Sequence, residues 1–343
     1  MNLQERLQKL RNPSNKPIQE HIVIIDAMNM FIRSFLVNHT TNKYGHHIGG
    51  LVGFLNSLSK TIKEQSPTKL FIVFEGNESS TRRKKIYPLY KSKRLNKGIV
   101  NQTVFQDPKE NDESFHQQLV RLIQYLQDLP LYLFSVERYE ADDIIAYLSK
   151  SLCLKSKITI VSNDKDYLQL IEPNINVYNP IEKVTYNQKE VFNKHGIYPI
   201  NFLSYRCILG DISDDIPNIE GLGETTIKKY YPLISNQEQI SLNELYQYAV
   251  DKVQNVKKPL SKYTNLIESK DQLEMNYKLM DLHNIELDVY DKDLVETCLQ
   301  QELNLDTNGF LSKAFEDDIK SHIYAPNVEQ WLINNFLKLK TNK

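Results

Sequence analysis

The chain has 343 residues and a formal net charge of −1, with 41% hydrophobic and 25% charged residues. These fractions are typical of a folded globular protein and argue against a chain that is disordered throughout. Because the net charge is close to zero, any affinity for nucleic acid must come from local basic patches. Three widely spaced cysteines without a CxxC pair indicate neither a zinc site nor a disulfide framework.

No apolar run approaches the roughly 20 residues that are needed to cross a bilayer. The N-terminal sequence MNLQERLQKLRNPSNKP also lacks the apolar segment of a signal peptide. We therefore expect a cytoplasmic protein without membrane contact, and a monomer is the simplest expectation. The length allows one large domain and a smaller one.

Four apolar runs predict strands that are buried on both faces of a mainly parallel sheet, which places the chain in the α/β class. These runs cover residues 22–25, 70–74, 131–134 and 158–161. Each run is followed within about six residues by carboxylates, among them Asp26, Glu75, Glu140 and Asp164. Because the carboxyl ends of parallel strands meet at one edge of a sheet, we expect these side chains to lie together. A single such aspartate is often only a helix N-cap, but four corresponding positions favour a functional site.

The stretch 136–170 concentrates acidic side chains in two groups. The first group is Glu140, Asp142 and Asp143, and the second is Asp164 and Asp166. Carboxylates that are crowded together repel one another unless cations hold them, and Mg²⁺ prefers such oxygen ligands. The sequence therefore predicts part of a metal site here, whereas the eight histidines show no convincing ligand spacing.

A basic segment separates the second strand from the third. Between Glu78 and Asp107 it contains no acidic residue and eight basic ones, which are Arg82, Arg83, Lys84, Lys85, Lys91, Lys93, Arg94 and Lys97. Tyr87 and Tyr90 interleave with them. The segment is either a solvated loop or a phosphate-contacting surface whose rings stack on bases. The nearby carboxylates favour the second interpretation, and residues 107–113 look like a flexible return.

Residues 205–231 contain two helical patterns that flank a glycine-containing turn. Gly221 and Gly223 free backbone N–H groups to approach a phosphate, and Lys228 and Lys229 follow on the second helix. Asp211, Asp214 and Asp215 are further acidic residues of this segment.

Residues 235–343 have a helix-rich pattern. Residues 330–337 form either a closing amphipathic helix, which is favoured, or a docking peptide for a sliding clamp.

At these residues the chain resembles the 5′–3′ exonuclease/flap endonuclease family. This family includes the N-terminal nuclease of bacterial DNA polymerase I and stand-alone phage enzymes, one of which is called ribonuclease H. The matching motifs are Asp26 after the first strand, TRRKKIYPLYKSKR (81–94), YEADD (139–143), SNDKDYLQL (162–170) and GDISDDIPNIEGLG (210–223). They occur in the family's order and span roughly residues 20–230.

The resemblance implies four segments. They are a polar tail at 1–20, a PIN-like 5′ nuclease domain at 21–200 with a basic arch at about 79–113, a helical domain at 201–300 with a DNA-gripping helix–three-turn–helix at 205–231, and a C-terminal helical tail at 301–343. It also implies two Mg²⁺ ions, with Mn²⁺ able to substitute, near Asp26, Glu75, Glu140, Asp142, Asp143, Asp164, Asp166, Asp211 and Asp214. A monovalent cation at the helix–three-turn–helix loop is a further expectation.

The resemblance implies that Lys91 and Arg94 lie on a helical bridge and contact the scissile phosphate, with Arg83 at another basic position of that motif. The remaining basic and aromatic residues of the two motifs are expected to bind nucleic acid. They are Arg82, Lys84, Lys85, Tyr87, Tyr90, Lys93, Gly221, Gly223, Lys228 and Lys229.

The implied activity is two-metal hydrolysis of DNA or RNA/DNA from a 5′ end, including removal of flaps and RNA primers during replication. The expected partners are duplex DNA with a 5′ flap, nick or RNA primer, and a sliding clamp or single-strand-binding protein. The chain shows no polymerase domain, so a stand-alone phage enzyme in the host cytoplasm fits.

Two departures from the family pattern support an alternative, a degenerate module that binds branched DNA without cleaving it. Glu75 stands where the family usually has Asp. The usual DNIPG reads Asp215-Ile-Pro-Asn218 here, so the loop loses a glycine and gains an acid. A phosphatase with Asp26 as nucleophile is disfavoured, because Met28 stands where such enzymes want a second Asp.

Overall fold

The computed structural model describes residues 20–93, 101–254, 256–323 and 326–340. Within this part of the chain, six strands form one sheet in the order β3-β2-β1-β4-β5-β6. All neighbouring strands are parallel except β5 and β6, which pair antiparallel. The strands are β1 (His21–Asp26), β2 (Lys69–Val73), β3 (Tyr132–Phe134), β4 (Lys157–Val161), β5 (Ile175–Asn179) and β6 (Val184–Tyr186). The predicted α/β class with a mainly parallel sheet is confirmed.

Helices connect and cover the strands. Those of the N-terminal half are α1 (Ala27–Val37), α2 (Gly49–Gln65), α3 (Thr81–Ile86), α4 (Pro108–Gln127), α5 (Ala141–Leu152) and α6 (Gln188–His195). Those that follow are α7 (Phe202–Leu209), α8 (Glu224–Tyr230), α9 (Leu242–Val253), α10 (Ser261–Glu268), α11 (Lys270–Met280), α12 (Val289–Gln300), α13 (Thr307–Glu316) and α14 (Val328–Lys340).

The central strands are buried on both faces, which explains their continuous apolar runs. Along β1, Ile22 and Ile24 pack against one face and Val23 and Ile25 against the other, because successive strand side chains alternate. The first face is covered by α5 and by the helices from α7 to α11, and the second face by α1, α2 and α4. The helical region is therefore continuous with the core of the sheet.

The C-terminal helices α13 and α14 close the second face. The ring of Phe310 lies 4.8 Å from that of Tyr125, and Trp331 and Phe336 are fully buried. Ser59 Oγ donates to Asn335 Oδ1 at 3.0 Å and joins α14 to α2. Because Phe336 is part of the chain's own core, the structure supports the closing helix and not the docking peptide.

Residues 107–113 are not a flexible return, which corrects that expectation. Asp107 accepts a hydrogen bond from the backbone of Lys109 at 2.8 Å and Pro108 occupies the first helical turn, so these residues start α4. Among the described residues, no helix is both long and apolar enough to cross a membrane. The predicted N-terminal tail lies almost wholly outside the described residues.

Candidate active site

The carboxylates of the predicted site follow the strands and begin the next helices. Asp26 ends β1, accepts a hydrogen bond from the backbone of Asn29 at 3.0 Å, and so caps α1. Glu140 occupies the same position before α5, and Asp164 caps the short 3₁₀ helix at Lys165–Leu170. The ends of β1 and β4 therefore deliver carboxylates that also satisfy a helix N-terminus. Glu75 follows β2 and is exposed.

Arg83 is the buried counter-ion of the first acidic group. Its guanidinium lies 3.3 Å from Glu140 and within 3.2 Å of both oxygens of Asp142 and of Asp143. Its Nε donates to the backbone carbonyl of Leu279 at 2.9 Å, and the residue is only 2% exposed. Burial opposes the charged form, but the three carboxylates outweigh it and raise the pKa of Arg83. The donors of Arg83, which the resemblance places at a basic position of the catalytic motif, are thus taken by protein groups in this structure.

Asp143 is held in the same ion-pair cluster. It is fully buried and binds Arg82 at 2.6 Å as well as Arg83, and it also accepts from the backbone of Glu140 at 3.2 Å. These donors use both carboxylate oxygens. Asp143 is therefore an ion-pair partner of two arginines in this structure, and its assignment as a metal ligand stays a prediction.

Lys91 and Tyr90 approach the site from the opposite side. The ammonium of Lys91 contacts Glu140 Oε2, and the hydroxyl of Tyr90 lies 3.1 Å from the same oxygen and 3.2 Å from Asp214. Burial opposes the charge of Lys91, yet Glu140, Asp214 and Asp142 together raise its pKa. Tyr90 is 2% exposed, so its ring packs inside the protein in this structure, and its predicted stacking on a base stays a prediction.

The basic segment is less helical than expected. Lys91 lies in a turn with a φ of +53°, not on a helix, and α3 ends at Ile86. Arg94, the second predicted phosphate contact, lies outside the described residues. The other residues of the segment that are predicted to bind nucleic acid are exposed or partly exposed; they are Arg82, Lys84, Lys85, Tyr87 and Lys93.

Arg206 joins the second acidic group to the loop after α7. Its Nε lies 2.7 Å from Asp166 and its Nη2 lies 2.5 Å from Asp211. Desolvation raises the pKa of Asp166 in spite of this arginine, whereas hydrogen bonds from Ser213 and the charge of Arg206 outweigh desolvation and lower the pKa of Asp211. Arg206 is not among the predicted site residues, although a lone arginine in the apolar pattern of α7 was an available signal.

The carboxylates at the sheet edge repel one another. Desolvation, together with the charges of Glu75 and Asp142, raises the pKa of Asp26 to about 6, even though Tyr167 donates to it at 3.1 Å. Asp164 is exposed as a whole residue, yet desolvation of its carboxylate, together with the charges of Asp166 and Asp26, raises its pKa to about 8. Such a cluster is short of positive charge.

The donor set fits a hard divalent cation, because it consists of carboxylate oxygens. One oxygen, Glu140 Oε1, is buried and has no hydrogen-bond partner among the described residues. In the same part of the chain, however, no three acidic, histidine or cysteine side chains converge closely enough to form a ready-made metal cage. Arg83, Lys91 and Arg206 pair with several of these carboxylates.

The two helices of the predicted helix–three-turn–helix are present as α7 and α8. Gly221 has a φ of +75°, which favours glycine, whereas Gly223 has ordinary backbone geometry and begins α8 as its N-cap. Lys228 pairs with Glu224 at 3.3 Å, and the ammonium of Lys229 lies 5.4 Å from the centre of the Tyr230 ring. The motif thus presents two lysines beside an open turn.

A parallel α/β sheet with carboxylates at its carboxyl edge, a basic segment above them and a helix–turn–helix beside them defines an α/β nuclease. The chain matches the model of the family described as "5′-3′ exonuclease, N-terminal resolvase-like domain" over residues 21–196. It is also 31% identical over 280 residues to a 5′-3′ exonuclease of Aquifex aeolicus, which covers 80% of this chain and 86% of that protein. The chain belongs to the 5′–3′ exonuclease family.

Other similar proteins agree with this placement. DNA polymerase I of Rhizobium leguminosarum is 30% identical over 217 residues, which span 60% of this chain but only 20% of the polymerase. The flap endonuclease of bacteriophage T5, solved as a complex with DNA and metal ions, has a TM-score of 0.62 at 20% identity and covers 86% of this chain and 100% of its own. Human GEN1, solved with Holliday junction DNA, has a TM-score of 0.56 at 13% identity. The match covers 99% of this chain and 77% of the GEN1 chain. These two structures share the fold.

Proposed function

We propose that the chain is a metal-dependent 5′–3′ exonuclease and flap endonuclease that hydrolyses phosphodiester bonds in DNA and RNA/DNA. The observation that carries the proposal is the gathering of Asp26, Glu140, Asp142, Asp164 and Asp166 at one sheet edge, facing Lys91, in a chain of this family. Carboxylates that repel one another next to a lysine are suited to metal-assisted attack on a phosphate.

Asp26, Glu140, Asp142 and Asp164 are the residues that we expect to hold divalent ions. Their oxygens suit Mg²⁺, with Mn²⁺ able to substitute, and the buried Oε1 of Glu140 needs a positive partner. When bound, the ions would supply an activated water and neutralise the leaving oxygen. Asp166, Asp211 and Asp214 complete the acidic rim, Glu75 adds negative charge near Asp26, and a monovalent cation at the helix–three-turn–helix loop remains a proposal.

The protein side chains have separate roles in this proposal. Arg83 keeps the first acidic group together, so that Glu140 and Asp142 stay at the site despite their mutual repulsion. Lys91 supplies positive charge to the scissile phosphate as negative charge develops there. Lys228 and Lys229 contact the phosphates of the duplex, which fixes the position of the strand that is cut.

The structure-specific substrates follow from the same arrangement. A duplex bound at α8 would place its 5′ flap, nick or RNA primer at the sheet edge. The displaced 5′ strand would leave through the basic segment. We therefore propose that the enzyme removes flaps and RNA primers during replication in the cytoplasm, alone or with a clamp or single-strand-binding protein. That T5 flap endonuclease was solved with DNA and metal ions supports this proposal.

A product-length assay tests the proposal. Flap, nicked, blunt and RNA/DNA substrates, each labelled at one end, are incubated with Mg²⁺ or with a chelator. We expect cleavage near the 5′ junction only with the metal. The Asp26→Asn variant should lose about 10³-fold or more in rate while still binding DNA, because asparagine keeps the N-cap of α1.

The same assay decides against the alternative binding module. A wild-type chain that binds the flap substrate but cleaves none of these substrates with Mg²⁺ or Mn²⁺ would establish the module and refute the nuclease. Cleavage that persists in the chelator would refute the metal requirement alone.

A further inference from the structure

The loop after α7 is a rigid platform. The backbones of Asp211 and Ile216 exchange two hydrogen bonds, 2.9 and 2.8 Å long, which close the loop on itself. Asn276 of α11 donates to the backbone carbonyls of Cys207 and Pro217, both at 2.8 Å, and fastens the base of the loop to the helical core. The residues between these anchor points are therefore held in fixed positions.

This platform contacts the turn that contains Lys91. The backbone N–H of Lys91 donates to the carbonyl of Asp214 at 2.9 Å. The carboxylate of Asp215 accepts from the backbone N–H of Lys93 at 2.9 Å and from Ser92 Oγ at 3.3 Å, and it pairs with the ammonium of Lys93 at 3.1 Å. Two adjacent acidic residues of the loop thus bind three consecutive residues of the basic segment.

The contact holds neighbouring lysines in opposite environments. The side chain of Asp215 is 6% exposed, that of Lys91 is 15% exposed and that of Lys93 is 80% exposed. Lys91 and Asp215 face each other across the contact with φ values of +53° and +59°, a region that residues other than glycine rarely adopt. Such conformations persist when surrounding bonds determine them, and here the bonds run between the two segments.

We propose that Asp215 is a positioning residue that pins the turn at 91–93 and so places the ammonium of Lys91 against Glu140. The proposal rests on the proposed function, in which Lys91 acts on the scissile phosphate. Through this contact the DNA-gripping motif sets the position of a cation in the active site, although Asp215 itself touches neither the metal site nor the substrate. An acid at this position is one of the departures from the family pattern.

Single-turnover cleavage of a 5′-flap substrate at saturating enzyme gives the first test. Asp215→Ala should lower the cleavage rate about 10- to 100-fold and change DNA affinity by less than about 2-fold, because only the orientation of Lys91 is lost. Asp215→Asn should recover most of the rate, since its amide oxygen still accepts from the N–H of Lys93. Asp251→Ala is the matched control, because Asp251 is an exposed aspartate of α9 that accepts a hydrogen bond from Gln247 of the same helix. Equal rates, or a loss of affinity alone, would overturn the proposal.

Lysine labelling without metal or DNA gives a test that does not depend on cleavage. An amine-reactive acetylating reagent should modify Lys93 quickly and Lys91 slowly in the wild-type chain, as read by mass spectrometry. In Asp215→Ala, Lys91 should react at least about 10-fold faster, because its turn is released, whereas Asp251→Ala should match the wild type. Unchanged protection of Lys91 would overturn the proposal.

The two readouts separate the proposals. If the chain cleaves no substrate, the proposed function fails, and the labelling result alone decides whether Asp215 positions Lys91. Circular dichroism checks the fold of each variant, and Asp215→Ser takes the place of the alanine variant in the labelling if alanine fails to fold.

Discussion

Nε of Arg206 lies 2.7 Å from Oδ1 of Asp166, and this contact joins α7 to the carboxyl edge of the sheet. The same guanidinium lies 2.5 Å from Asp211. One cation therefore pairs with Asp166 at the edge of the sheet and with Asp211 in the loop after α7. The side chain of Arg206 is only 13% exposed. Its removal would therefore leave two poorly solvated carboxylates without their counter-ion.

We expect Arg206→Met to lower the free energy of unfolding by about 3 kcal/mol in a chelator, because breaking a buried ion pair strands its charges. Urea denaturation measures this loss. Lys228→Met is the control, since it removes a partly exposed pair that contributes less than about 1 kcal/mol. Similar losses for both variants would contradict the assignment of Arg206 as a buried counter-ion. Mg²⁺ should restore part of the stability of Arg206→Met, because it can replace the missing positive charge.

The glycine that precedes the acidic loop should tolerate no side chain. Gly210 has a φ of +64°, and a Cβ atom there would lie 2.6 Å from backbone atoms of Ile216 and Asn218. We expect Gly210→Ala to lower the free energy of unfolding by about 3 kcal/mol. Gly223→Ala is the matched control, because open space surrounds it and an N-cap change costs about 1 kcal/mol or less. Thermal or urea unfolding measures the stability of both variants. Equal losses of stability in the two variants would argue against a closed loop.

The metal-free protein should lose stability as the pH rises. The pKa of Asp26 is raised to about 6 and that of Asp164 to about 8, so the folded chain holds protons that the unfolded chain has already released. The free energy of unfolding therefore falls between about pH 4 and pH 8, where the unfolded state binds fewer protons than the folded state. Thermal melts in a chelator across this interval measure the fall.

Added Mg²⁺ should reverse this loss, because divalent ions bind the ionised carboxylates. The metal-dependent rise in melting temperature should be larger at about pH 8.5 than at about pH 6, where protons compete with the metal. Asp26→Asn removes one of the titrating groups, and its metal-dependent rise should be smaller at both values. A rise that is the same at every pH would contradict the proposed ligands.

Lys91 should affect the chemical step more than DNA binding. We expect Lys91→Met to lower the single-turnover rate about 100-fold or more, because the developing charge on the phosphate loses a preorganised cation. DNA affinity, measured by fluorescence anisotropy, should change little. Lys292→Met, which alters an exposed lysine of α12, is the matched control and should behave like the wild type. An affinity loss without a rate loss would place Lys91 among ordinary phosphate contacts.

Local periodicity made the sheet predictable. The central strands β1, β2 and β4 appear as continuous apolar runs because both of their faces are buried, and the structure places them within a residue of the expected ranges. The start of α4 was readable as well, since Asp107 and Pro108 form an ordinary helix beginning. It was misinterpreted because its acidic composition resembles that of a loop.

The roles of the arginines could not be predicted from local pattern. Arg83 stands in a run of exposed charges, but it is buried because three carboxylates from another part of the chain surround it. Arg206 stands in an apolar helix with no sign of its partner Asp166, which lies 40 residues earlier in the chain. An ion pair depends on which elements pack together, and sequence spacing does not encode that.

The sequence by itself determined the α/β class and the set of carboxylates at the strand ends, because strand burial and strand-end position are local properties of the chain. Only the tertiary structure decided which cations hold those carboxylates and how Asp215 pins the turn that bears Lys91. It also decided that α14 completes the core of the sheet. These contacts join residues that lie far apart in sequence, and their stability comes from burying charge and apolar surface together.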